Sequence, residues 1–211
     1  MKKGDSVSFE TNFLCEPDAL AGLDPTRTAH LCIDLQDGYF HPENTNASEE
    51  AKENGPVVAE RIARVAPLFN DAGLNSTLWV WHEVVGEKFY LVDPPEEERF
   101  AKKHYSAFRK TSLDKILKLR RVDTLVLSGG YTSFCVRNTA RDGLANAYRV
   151  LVLTDCVQDF YKPLPDKDLK EAFTKTVNGE KKRAGFTTSG RLLEHLKSYA
   201  RPQPVGMIAT A

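Results

Sequence analysis

Short, almost unbroken apolar runs alternate along this chain with stretches whose apolar residues recur every three or four positions. The segments AHLCIDL (Ala29 to Leu35), STLWVWHEV (Ser76 to Val84), DTLVLSGG (Asp123 to Gly130) and YRVLVLTD (Tyr148 to Asp155) read as strands buried on both faces. Val58, Ile62, Val65, Ala66 and Phe69 share one helical face closed by Gly73, and Pro67 is expected to kink that helix or end its regular part early. Thr111 or Ser112 can cap a short helix through Leu119. Val136, Ala140, Gly143, Leu144 and Ala147 mark a further helical face. Leu169, Ala172, Phe173 and Val177 mark another, and Leu192, Leu193, Leu196 and Tyr199 the last. Strands alternating with helices predict right-handed crossovers and a mostly parallel sheet covered on both sides, which is an α/β, three-layer α-β-α sandwich. In such open sheets ligands bind outside the carboxyl ends of the strands, a rule that gathers Asp34, His82, the Gly129 to Cys135 turn and Asp155.

Composition narrows the possible partners. The 211 residues suit one generous domain, 1–211, with a single core. The 29 Lys+Arg cancel the 29 Asp+Glu, which removes the basic excess that nucleic-acid binding draws on. No apolar run approaches the roughly 20 residues needed to span a bilayer. Two early lysines are followed by Gly4, Asp5 and Ser6 instead of an apolar stretch, so neither a secretory signal nor a membrane partner is expected, and the location expected is cytoplasmic. Four cysteines, Cys15, Cys32, Cys135 and Cys156, with no CxxC pair, predict neither a disulfide framework nor zinc.

Of the four, Cys135 stands where a thiol can become chemical. In SGGYTSFCVRNTARDG it follows a Gly-rich strand end, at or within the first turn of the next helix, where unpaired N–H groups and the helix dipole favour a thiolate or an oxyanion. Cys32 reads as core and Cys156 as packed against the strand edge, while Cys15 is uninformative. Asp34 can act as a general base or cap the next turn. Lys102 can supply a positive charge or simply be solvated in a charged loop. Together, thiol, carboxylate and ammonium form a nucleophile, a base and an electrostatic stabiliser. Tyr39, Phe40, His82 and Tyr131 flank the strand ends and can line a substrate pocket. Gln36 and Ser106 can order the three charged groups, and Asp155 reads as holding a loop. Glu96 to Glu98 reads as a solvated face, and the stretch from Gly86 to Phe100 as a lid that carries specificity.

Three blocks carry a family likeness: DLQDGYF (Asp34 to Phe40), KKHYSAF (Lys102 to Phe108), and SGGYTSFCVRNTARDG (Ser128 to Gly143) leading into VLVLTDCVQD (Val150 to Asp159). In this order, from about Ala29 to Ser198, the chain resembles the isochorismatase-like cysteine hydrolases, a Rossmann-like superfamily that includes nicotinamidases, N-carbamoylsarcosine amidases, ureidoacrylate amidohydrolases and isochorismatases. The resemblance implies a catalytic triad of Asp34, a lysine and Cys135. Lys102, three residues before Tyr105, matches the pattern better than its neighbour Lys103. It also implies a cis peptide between Gly130 and Tyr131, with the Tyr131 and Cys135 N–H groups forming an oxyanion hole. The expected activity is cofactor-independent hydrolysis of a C–N bond in a small amide or ureido compound through a Cys135 thioester. The alternatives are isochorismatase-type vinyl-ether hydrolysis, which needs no nucleophile, or a catalytically silent member serving as a binding module. Nicotinamidases of the family hold a metal with an Asp-x-His pair and a further His. Between Asp34 and Lys102 this chain has only His41 and His82, with no Asp-x-His, so no metal is expected. A homo-oligomer is expected by the same likeness.

Overall fold

A computed structural model of the chain describes residues 13–43, 48–71, 75–160 and 165–199. In chain order its strands are β1 (Thr28–Ile33), β2 (Asn75–His82), β3 (Arg99–Lys102), β4 (Thr124–Gly130), β5 (Arg149–Gln158), β6 (Thr174–Val177), β7 (Glu180–Arg183) and β8 (Gly185–Thr187). The helices are α1 (Asp37–Phe40), α2 (Glu49–Asp71), α3 (Leu113–Leu119), α4 (Arg137–Ala145), α5 (Asp166–Ala172) and α6 (Ser189–Tyr199). One sheet runs in the order β3-β2-β1-β4-β5-β8 with every neighbouring pair parallel, and β6 and β7 form a separate antiparallel hairpin.

The central strands are buried along their whole length, as their continuous apolar character requires. Because side chains alternate across a strand, Leu31, Ile33, Leu125 and Leu127 meet Leu113, Leu117, Ala140 and Leu144 on one face, while Cys32 and Val126 meet Ile62, Phe69 and Leu192 on the other. The three-layer α/β arrangement read from the sequence is therefore the one observed. Among the described residues no helix is long and apolar enough to cross a membrane.

Several local expectations are corrected. The helix bearing Pro67 does not stop there; α2 continues to Asp71, with Pro67 one turn before its end, and Gly73 lies outside the described residues. Ala147, at φ +67°, lies beyond the end of α4. Val177 belongs to β6, not to a helix, because α5 ends at Ala172. Asn178 and Gly179, at φ +50° and +81°, form the two-residue turn that joins β6 to β7. Ser112 stands at the N-cap of α3 without a side-chain bond, and Thr111 Oγ1 instead accepts from the Leu113 N–H at 3.3 Å. Strands β3, β6, β7 and β8 correspond to no strand expected from the sequence.

His30 crosses the α2 face of the sheet. Its ring nitrogens bond Thr77 Oγ1 on β2 at 3.0 Å and Ser128 Oγ on β4 at 2.8 Å, and the ring stacks on Phe69 at 5.1 Å between centroids. Complete burial pushes its pKa down from 6.5 to about 3. The unfolded chain therefore binds the extra proton first, so stability is fully present above pH 6.5 and drains away as pH falls toward 3. About 2 kcal/mol should be lost between pH 7 and pH 5. Chemical denaturation across that range checks this, and His30→Gln should flatten the profile.

Candidate active site

Ordering the strands β3-β2-β1-β4 places the ends of the chain's reactive segments along one edge of the sheet. Asp34 directly follows β1, where φ of +51° turns the chain out of the strand while its N–H still bonds Val80 O at 2.7 Å. Lys102 is the last residue of β3, two strands away from β1 and so about 9.5 Å across the sheet. A long side chain is needed to cover that gap, and Lys102 reaches across the end of β2, where His82 is its register partner. Lys103 points elsewhere, pairing with Glu83 at 3.3 Å with its side chain 73% exposed. The choice between the two lysines therefore falls on Lys102.

At the convergence Lys102 Nζ donates to Asp34 Oδ2 at 2.7 Å and lies 3.4 Å from Cys135 Sγ. The lysine and aspartate side chains are 0% and 1% exposed. Asp34 Oδ1 is also buried and has no hydrogen-bond partner among the described residues. Burial raises the Asp34 pKa, and the charge of Lys102 opposes that rise. Burial also pushes the Cys135 thiol up to about 12, with the Asp34 charge adding to the rise and Lys102 working against it. Desolvation and the Asp34 charge thus work against the thiolate that the helix terminus favours, while Lys102 works for it, and the carboxylate stands in the same cluster as the sulfur.

Cys135 lies in a wide π-type turn, Thr132–Val136, that runs directly into α4. Turns of this kind occur often at functional sites. The peptide between Gly130 and Tyr131 is cis, as the family likeness implied. Tyr131 O accepts from the N–H groups of Phe134 at 3.0 Å and Val136 at 3.2 Å, two bonds that straddle Cys135. Gly129, at φ +101°, permits the close approach of β4 to β1 here, since a Cβ would overlap the Ile33 carbonyl oxygen.

The remaining expectations divide. Tyr39 and Tyr131 stand together, rings 5.1 Å apart, and Tyr131 Oη donates to Tyr39 O at 3.2 Å. Both phenols are raised by burial first, and Asp34 and Cys135 add to the rise, so the two rings stand near that pair. His82 is half-exposed at the end of β2; burial, then Lys102, lowers its pKa. Phe40 is core, not pocket: it is 1% exposed and its ring presses on Gly130. Gln36 does not order the charged groups. Its amide accepts from the His82 N–H at 2.7 Å and donates to His82 O and Gly86 O, which shapes the turn after β2. Ser106 Oγ accepts from the Phe108 N–H at 3.2 Å within its own turn.

Asp155 does hold a loop, accepting from the N–H and hydroxyl of Ser189 at the start of α6. Of the other cysteines, Cys32 and Cys156 are fully buried, and Cys15 Sγ lies 3.2 Å from an Arg191 guanidinium nitrogen. The stretch from Gly86 to Phe100 is more braced than a lid would be. Asp37 N–H bonds Lys88 O, Tyr90 N–H bonds Leu35 O, and Arg99 bonds Pro94 O, Glu87 and Asp93. Among the described residues no three His, Cys, Asp or Glu side chains are grouped to hold a metal. The residue missed by the sequence reading is Asp159, whose carboxylate bonds Ser133 in the turn that carries Cys135. No signal in the sequence distinguished it from the other acidic residues that follow strands.

Comparison with known proteins shows the family. The chain is 30% identical over 182 residues to the ureidoacrylate amidohydrolase of Methylobacterium radiotolerans, covering 66% of this chain and 69% of that enzyme. The N-carbamoylsarcosine amidase of Thermoplasma acidophilum superposes with a TM-score of 0.58 at 26% identity, covering 77% of this chain and 96% of the other. A cysteine hydrolase of Pseudomonas syringae pv. phaseolicola shares the fold with a TM-score of 0.65 at 18% identity, covering 84% and 95%. Residues 28–179 match the Isochorismatase domain, and with that match spanning most of the sheet and the whole charged cluster, the chain belongs to the isochorismatase family.

Proposed function

We propose that this protein is a cofactor-independent cysteine amidohydrolase that splits the C–N bond of a small amide or ureido compound through a thioester on Cys135. The observation that carries this assignment is the buried contact of one ammonium with both a carboxylate and a thiol, Lys102 with Asp34 at 2.7 Å and with Cys135 at 3.4 Å. Named relatives with amide or ureido substrates support it.

The Asp34 carboxylate takes the thiol proton as Cys135 Sγ bonds to the carbonyl carbon. The carbonyl electron pair moves onto oxygen, where the Tyr131 and Cys135 N–H groups hold the negative charge. Asp34 returns its proton to the departing nitrogen, the C–N bond breaks, and a thioester and an amine remain. Asp34 then deprotonates a water that attacks the thioester. The C–S bond breaks, the thiol regains its proton, and the acid leaves. Lys102 favours the anionic carboxylate in a site whose burial works the other way. The Tyr39 and Tyr131 rings form part of the substrate's surroundings. By the family likeness the working form is a homo-oligomer.

Ammonia release from a panel of small amides and carbamoyl compounds, with Cys135→Ser as blank, tests the assignment. The pH profile gives a second expected outcome. Asp34 must be ionised to act as base, and burial holds it above its ordinary 3.8, so kcat/KM should climb with pH through that raised value. With the thiol protonated up to about 12, no separate thiol inflection should appear near neutrality. An acid limb centred at or below 3.8 would remove Asp34 from the role of base.

A further inference from the structure

The turn that carries Cys135 is held by more than its own backbone. Asp159, just past the end of β5 and only 7% exposed, directs Oδ2 at Ser133: it accepts the Ser133 N–H at 3.0 Å and the Ser133 hydroxyl by a short bond. Its Oδ1 accepts the Phe160 N–H at 2.8 Å, which fixes the carboxylate from the other side. The turn's N–H groups can then be followed one by one. Ser133 gives its N–H to Asp159, Phe134 and Val136 give theirs to Tyr131 O, and Arg137 bonds Thr132 O. The Cys135 N–H takes no part in any of these bonds. Ser133 thus sits between the two N–H groups assigned to the oxyanion, with its own N–H drawn away toward β5. A buried carboxylate near a developing negative charge would be unfavourable on electrostatic grounds alone, so its bonds to the turn are the benefit that offsets it.

We propose that Asp159 is a positioning residue for catalysis: through Ser133 it sets the turn so that the Tyr131 and Cys135 N–H groups point together at the oxyanion. This rests on the amidohydrolase assignment above. Loss of a single oxyanion donor lowers turnover about 10²–10³-fold, and a displacement of about 1 Å has a similar effect, so releasing the turn should act strongly on kcat.

The test compares Asp159→Ala and Asp159→Asn with the parent in two reactions of the same sulfur. Amide hydrolysis builds an oxyanion. Alkylation of Cys135 by iodoacetamide, followed by peptide mass spectrometry at about pH 9, displaces iodide at a saturated carbon and builds none. Asp159→Ala should lower kcat by about 30-fold or more with KM changed less than about threefold, and should leave the Cys135 alkylation rate within about threefold of the parent. Asp159→Asn keeps an acceptor for the Ser133 N–H and should recover most of the lost kcat. A merely structural role would depress hydrolysis and alkylation together, and that result overturns the proposal. Unchanged kcat in both variants overturns it while leaving the amidohydrolase assignment in place. A parent that alkylates yet releases no ammonia from any amide overturns both. If the alanine variant fails to fold, the asparagine variant decides: a kcat below the parent's with the Cys135 alkylation rate kept within about threefold supports the proposal, and either a parent-like kcat or a matched loss of both reactions overturns it.

Discussion

Cys135→Ser should reduce ammonia release from amide substrates by at least about 10³-fold while leaving the protein folded. The substitution replaces sulfur by oxygen at nearly constant volume, so the packing of Val136 and Ala140 against the sheet is undisturbed. What changes is nucleophilicity. A thiol pushed up to about 12 can still surrender its proton to a carboxylate that burial has made more basic than usual, whereas an alcohol in the same place holds its proton several pKa units more tightly. Turnover equal to the parent would assign the site to proton transfer of the vinyl-ether type, in which Asp34 protonates substrate and sulfur is a bystander. Retained folding is read from the unfolding midpoint in urea, which should move little.

The second large effect concerns the buried ion pair. Lys102→Met removes the cation and leaves Asp34 enclosed without a counter-charge, and Asp34→Asn does the reverse; each should abolish hydrolysis and destabilise the fold by about 3–5 kcal/mol. The double substitution Asp34→Asn with Lys102→Met leaves no unpaired charge and should regain most of that stability without regaining activity. The pH dependence of Lys102→Met separates charge from packing. Without the lysine, the Asp34 pKa in the folded state rises further above the unfolded 3.8, so the folded state binds the proton more tightly. Its stability should therefore be nearest the parent's in acid and fall away as pH climbs above about 4 through that raised value. A deficit that stays constant across pH would mean that lost packing of the lysine stem, and not an uncompensated carboxylate, accounts for the effect.

How far the chain could be read in advance follows from how local each feature is. The double-sided burial of β1 and β4 is written in unbroken apolar runs, and the alternation with helical periodicity leads directly to the layered α/β architecture. Strand β3 has only four residues, Arg99–Lys102, of which just the last is buried, so no period-2 pattern could announce it. Its omission left Lys102 looking like a residue of a solvated loop. The spacing of Val177 from Phe173 fits a helical turn, yet the Asn178–Gly179 pair signals a hairpin in the same few residues, and the hairpin is what forms. Phe40 and Gln36 adjoin Asp34 in sequence but pack inward or shape the turn after β2, because a side chain's direction depends on the turn it occupies.

By itself the sequence determined the layered fold, the family likeness, and which thiol, carboxylate and amine to watch, because each of these depends on residue identity and short-range periodicity. The preference for Lys102 over Lys103, which the family likeness alone suggested, received its physical reason only from the tertiary structure, since it depends on which of two adjacent side chains reaches across the end of β2. The upward push on the Cys135 thiol came from there too, because desolvation is set by everything packed around the sulfur. So did the clasp of Asp159 on Ser133, a bond between groups 26 residues apart whose strength depends on burial and direction and leaves no trace in local composition.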